Sequence, residues 1–164
     1  MLELWNYLKS TQKPVVLYGM GNGADKIIAV AEKYNIKISG VFSSDGFVRK
    51  KTFHGFDVTD YATAKQRFGN MIVLLCFGTA LPDVIENIKK IAREQELYAP
   101  DVPVYGDVLF NMDYVLENKA LLKAVYNRLA DQTSKRVFES AVYYKLTGKI
   151  DYLFECATSP DEVY

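Results

Sequence analysis

The chain has little of what most enzyme chemistries and membrane proteins need. Two cysteines, Cys76 and Cys156, are too few and too scattered for a disulfide framework or a thiolate metal site, and suit a reducing, cytoplasmic setting. There is one histidine, His54, with no second one to complete a zinc site. No apolar run approaches the ~20 residues that span a bilayer, so no membrane association is expected. The opening residues MLELWNYLKS lack the basic flank and long apolar core of a signal peptide. Neither charge sign is in excess: Lys+Arg and Asp+Glu are both 20. That excludes a dedicated polyanion binder and makes nucleic acid an unexpected partner. No G-x-x-x-x-G-K-[ST] occurs, so a P-loop ATPase is not supported.

What is there is a core. Of 164 residues, 49% are hydrophobic and 13% aromatic, enough for one packed domain and a modest appendage. Leu2, Trp5 and Leu8 recur at helical spacing, which predicts a short helix over 2–9 with Trp5 as its docking anchor. Pro-Val-Val-Leu-Tyr-Gly, from Pro14, is apolar throughout and rich in β-branched residues, as in a strand covered on both faces. A helix over Ala24 to Tyr34 and a strand over Ile36 to Phe42 follow, then a polar loop, Ser43 to Lys51. His54 to Val58 reads as a short strand or turn, and Asp60 to Phe68 as a capped helix. Met71 to Phe77 is the most apolar run and marks a central strand. Pro82 suits the first turn of a helix to about Glu94, and Val102 to Tyr105 reads as one more strand.

After about residue 110 only helical periodicity remains. Leu121, Leu122, Val125, Tyr126 and Leu129 share one helical face, and Val137, Phe138, Ala141, Val142 and Leu146 another, with Gly148 as a stop. The expected fold is α/β: a Rossmann-like three-layer domain over 1–110 with a mostly parallel sheet, then a C-terminal helical pair within 111–164.

The sharpest local pattern is Gly19-Met20-Gly21-Asn22-Gly23-Ala24, between a strand and a helix. Gly19 would permit the tight turn, Gly21 would admit a phosphate to the backbone, and Ala24 would take the third small position against the sheet. Asn22 and Gly23 complete the turn, and the free N–H groups at the start of the following helix suit an anion. Asp45, past the second strand, stands where an acid for ribose hydroxyls would be sought. Thr79 and Asp107 follow later strands and would join the same ligand cleft, although helix capping and turn chemistry also account for both. The glycines equally suit plain packing of a parallel α/β turn. Arg49-Lys50-Lys51 is a short basic run, and residues 1–70 carry 10 basic against 6 acidic residues. That bias favours a small phosphorylated or sugar ligand. Cys76, inside the most apolar strand, reads as an inert core residue. Aromatics such as Tyr143, Tyr144, Tyr152 and Phe154 near the end suit an interface, including a homodimer. No acid pair, triad or metal cluster stands out, so no catalytic residue is assigned.

Taken together, the segments Val-Val-Leu-Tyr-Gly-Met-Gly-Asn-Gly-Ala-Asp-Lys, Gly-Val-Phe-Ser-Ser-Asp-Gly-Phe-Val-Arg, Phe-His-Gly-Phe-Asp-Val and Val-Leu-Leu-Cys-Phe-Gly-Thr resemble the N-terminal portion of FkbM-family methyltransferases. Leu-Ala-Asp-Gln-Thr-Ser-Lys-Arg-Val-Phe-Glu and Tyr-Lys-Leu-Thr-Gly-Lys-Ile-Asp-Tyr-Leu-Phe resemble the helical lead-in to their catalytic domain. The resemblance implies a non-catalytic accessory domain of an O-methyltransferase, for substrate orientation or for domain and subunit contacts. S-adenosylmethionine would then bind a downstream methyltransferase domain, and none would bind here. The residues leave two other readings open: a small nucleotide- or NAD-binding protein using Gly19–Gly23, and a purely structural or interaction module.

Overall fold

A computed structural model describes residues 3–44 and 52–157. Its centre is a six-stranded, mostly parallel sheet. The strands are β1 (Val15–Tyr18), β2 (Ile38–Phe42), β3 (Thr52–Phe53), β4 (Phe56–Thr59), β5 (Ile72–Leu75) and β6 (Glu96–Tyr98), in the spatial order β3-β4-β2-β1-β5-β6. β1 pairs in parallel with both β2 and β5, placing Tyr18 beside Phe42 and Leu75. Only β3 runs antiparallel, joined to β4 by a tight turn in which His54 and Gly55 both have positive φ.

The two faces are covered differently. Val15, Leu17, Val41, Ile72 and Leu74 point to the side of α1 (Leu4–Ser10) and α2 (Asn22–Lys33). Val16, Tyr18, Phe42 and Val73 point to the side of α3 (Tyr61–Phe68) and α4 (Pro82–Glu94). Because side chains alternate along a strand, runs such as Val15–Tyr18 must be apolar throughout when both faces are packed. Trp5 is buried against Tyr34, its ring 5.8 Å away, as an anchor for α1. Asp60 caps α3 by accepting from the Thr63 N–H at 2.7 Å, and Pro82 opens α4.

Four helices follow: α5 (Met112–Glu117), α6 (Lys119–Arg128), α7 (Gln132–Thr147) and α8 (Asp151–Glu155). The expected pair corresponds to α6 and α7. α5 is split from α6 at Asn118, whose φ of −102° and ψ of 14° leave the helical region. The end of α7 belongs to the sheet's core. Gly148, in the left-handed conformation, ends α7 and accepts from the Ala99 N–H at 2.7 Å, and Leu146 and Ile150 are buried.

One expected strand is corrected. Val102 to Tyr105 is irregular, and the last strand is Glu96–Tyr98, paired with β5. Pro103 has no N–H for a ladder, and Val104 and Tyr105 stand in solvent, whereas Leu97 is buried at the sheet edge.

Candidate functional site

Chain order sets where a ligand would sit. From β1 the chain steps outward to β2 and β4, then returns to the other side of β1 as β5 and continues to β6. α2 leaves β1 onto one face and α4 leaves β5 onto the other, which opens a crevice beyond the carboxyl ends of β1 and β5. Gly19–Gly23 and Cys76–Thr79 flank it.

The three glycines of the turn do different work. Gly19 has φ 109° and donates its N–H to the Phe42 carbonyl at 2.8 Å, so the turn is locked to β2. A Cβ there would lie 2.7 Å from the Phe77 ring. At Gly23 a Cβ would lie 2.0 Å from the Cys76 carbonyl oxygen, so the first turn of α2 packs backbone to backbone on the end of β5. That close approach falls one residue before Ala24, the position expected for it; Ala24 is itself fully buried in the core. Gly21 is accounted for by no neighbour. Its φ of 95° and ψ of −159° belong to a region that only glycine adopts readily, and nothing lies within 4 Å of where a Cβ would be. It is the N-cap of α2 and supplies no side-chain cap, so the first N–H groups of a 12-residue helix lack that partner.

Ser43 sits at the end of β2 beside this turn. It is 4% exposed, and its Oγ is the buried side-chain oxygen among the described residues that lacks a hydrogen-bond partner. Its neighbour Ser44 is already engaged with the Tyr18 hydroxyl at 2.5 Å, which also accepts from Asn87 Nδ2 at 3.1 Å. Sequence reasoning missed this Tyr18–Ser44–Asn87 network, because a tyrosine inside an apolar run gives no sign of its hydroxyl's partner. Tyr18 is stacked on Phe42 at 4.6 Å and edge-on to Phe77 at 5.0 Å, fixing the floor of the crevice.

The remaining predicted residues divide. Thr79 and Gly23 line one cavity of about 460 Å³ beyond the end of β5. Thr79 Oγ1 also accepts from the Leu81 N–H at 3.1 Å, so the turn chemistry expected of it is met, whereas the N-cap of α4, Leu81, has no side-chain cap. Asp107 is exposed and borders a different cavity of about 320 Å³, beside Lys26 and Lys33 of α2. Asp45 and Arg49-Lys50-Lys51 lie outside the described residues. Among the described residues, Ser43 and Ser44 follow β2.

His54 Nε2 lies 2.7 Å from Asp25 Oδ1, tying the β3–β4 turn to the first turn of α2; both side chains are about half exposed, where such pairs contribute little. Lys26 Nζ donates to the Pro103 and Val104 carbonyls and pins the irregular 102–106 segment to α2. Cys76 Sγ donates to the Leu74 carbonyl at 3.2 Å, and burial pushes its thiol far up, so it is inert as expected. Among the described residues no three His, Cys, Asp or Glu side chains gather to hold a metal, and no helix is long and apolar enough to cross a membrane.

No protein-family model matches this chain, and no curated protein or solved structure matches it either.

Proposed function

We propose that this chain is a non-catalytic, Rossmann-like domain that holds a small phosphorylated ligand, a sugar phosphate or mononucleotide, at Gly19–Gly23, as an accessory part of an FkbM-like O-methyltransferase. The observation that carries the ligand reading is Gly21. Gly19 and Gly23 are explained by Phe77 and the Cys76 carbonyl, whereas Gly21 faces open space at an uncapped helix terminus. The strand order, with the β3 arm set aside, agrees with doubly wound sheets that bind ligands at such a crevice. The buried, unpartnered Ser43 hydroxyl follows Phe42, whose carbonyl holds Gly19 of the turn.

The methyltransferase part of this reading rests on the sequence resemblance. In it, S-adenosylmethionine and all catalytic residues belong to a separate downstream domain in a cytoplasmic protein, and this domain orients the acceptor or contacts the partner domain. One observation favours an interaction module as the second reading: α5 and α6 bury no side chain, while Leu116 and Leu121 are more than half exposed.

Calorimetric titration with AMP, glucose 1-phosphate and S-adenosylmethionine separates these readings. The expected result is saturable binding of a phosphorylated ligand, weakened at least tenfold by Gly21→Ala and unchanged by Gly106→Ala. Gly106 also has positive φ and an open Cβ position, but lies away from the turn. Absence of binding by both phosphates, or saturable micromolar binding of S-adenosylmethionine, would overturn the proposal.

A further inference from the structure

The cavity beyond β5 has a chemistry different from that of the glycine turn. Its volume of about 460 Å³ is far above the roughly 30 Å³ share of one water, and falls within the roughly 300–1,000 Å³ typical of ligand pockets. None of the side chains that line it is charged, and most are aliphatic or aromatic. Ile27 of α2 borders one side, Ile85 and Ile88 of α4 another, and Leu153 and Phe154 of α8 close it from above.

That upper wall is held in place, which distinguishes the cavity from a frayed end. The Gly148–Ala99 hydrogen bond fixes the chain just before α8, and a Cβ on Gly148 would lie 2.8 Å from Leu4. Ile150 is buried in the sheet's core, and Lys89 Nζ stands 5.1 Å over the Phe154 ring. Leu153 and Phe154 nevertheless remain 44% and 40% exposed, although the core beside them is closely packed. An apolar body in the cavity would remove part of the apolar surface lining it from water.

We infer that this cavity is a binding site for a neutral, apolar small molecule, with α8 as one of its walls. Uncharged walls select against a charged body, since nothing there would offset its desolvation. The Thr79 hydroxyl, whose oxygen accepts from Leu81, keeps its proton for one polar group of the ligand. This site shares Gly23 with the glycine turn but does not require an anion at Gly21, so the two can be tested apart.

The test uses the full chain and 2-naphthol, which has a flat apolar body, one hydroxyl and no phosphate. Isothermal titration is expected to show saturable binding that Leu153→Trp and Ile85→Trp, on different elements of the lining, each weaken at least tenfold. Gly106→Ala, which borders a different cavity, is expected to leave it unchanged. Both tryptophan substitutions are at partly exposed positions, and an unaltered melting curve for either one keeps the comparison valid. No saturable binding by the parent chain, or full binding in a folded wall variant, would overturn the inference. If AMP fails to bind while 2-naphthol binds and responds to the wall variants, the glycine-turn reading falls and this one stands.

Discussion

The central strands and the helices α5 and α6 are built from similar amounts of apolar residue but use them in opposite ways. Every residue of β1 is buried, and Ile72, Val73 and Leu74 of β5 are fully so. α5 and α6 bury none, although α6 carries Leu121, Leu122 and Val125. The difference teaches where folding energy resides. In the sheet each side chain meets a helix on its face, and close packing turns apolar content into stability. In α5 and α6 it is spent on a surface, so these helices rely on termini and local pairs such as Tyr126 with Phe138, at 6.2 Å.

The most direct way to break this comparison is to truncate one leucine in each region. Leu74→Ala is expected to cost roughly 3–5 kcal/mol in urea denaturation, as full burial without room to relax implies. Leu121→Ala, at a side chain 60% exposed, should stay within about 0.5 kcal/mol. Equal losses would mean that α6 has a packing partner in solution.

A second pair compares glycines. Gly23→Ala puts a methyl into the Cys76 carbonyl, backbone against backbone, and should cost about 3 kcal/mol despite alanine's higher helix propensity. Gly106→Ala meets only its positive φ of 73° and should cost about 1 kcal/mol. Thermal melting of both variants checks the ranking.

The smallest effects belong to the helix caps. Asp60 accepts from the Thr63 N–H in the sheet domain, and Asp131 from the Ser134 N–H and hydroxyl at the start of α7. These hydrogen bonds hold both carboxyls below their ordinary 3.8. A depressed folded value means the stabilisation is present above pH 3.8 and is lost as pH falls through the lower folded value. Asp60→Ala should therefore lower the global midpoint slightly at pH 7 and flatten its decline below pH 4. Asp131→Ala should speed amide exchange at the start of α7 and leave the global midpoint alone. A shift of the midpoint by Asp131→Ala would show that α7 unfolds with the sheet from its first turn.

The same contrast explains what could be read from the residues alone. β1 and β5 were legible because burial on both faces demands unbroken apolar runs. β6 was not: it is three residues long, and its Glu96 is held at the edge by Lys13 and Tyr7, partners far away in sequence. Val102 and Val104 carried the stronger β-branched signal, yet the backbone there is tied to Lys26 instead of a neighbouring strand. At the turn, the pattern placed glycines at the crevice but not their division of labour. Which one meets a carbonyl depends on where β5 ends in space. The cavity under α8 left no sequence sign, because its walls come from four separate segments whose apolar residues look like ordinary core.

The measurement that tests the account most directly is a ¹⁵N–¹H correlation spectrum of the chain titrated with AMP and glucose 1-phosphate. Saturable shifts concentrated at Gly19–Ala24 and Ser43, with residues 119–128 of α6 unmoved, are the predicted result. No shifts at the turn with either phosphate, or shifts centred on α6, would contradict it.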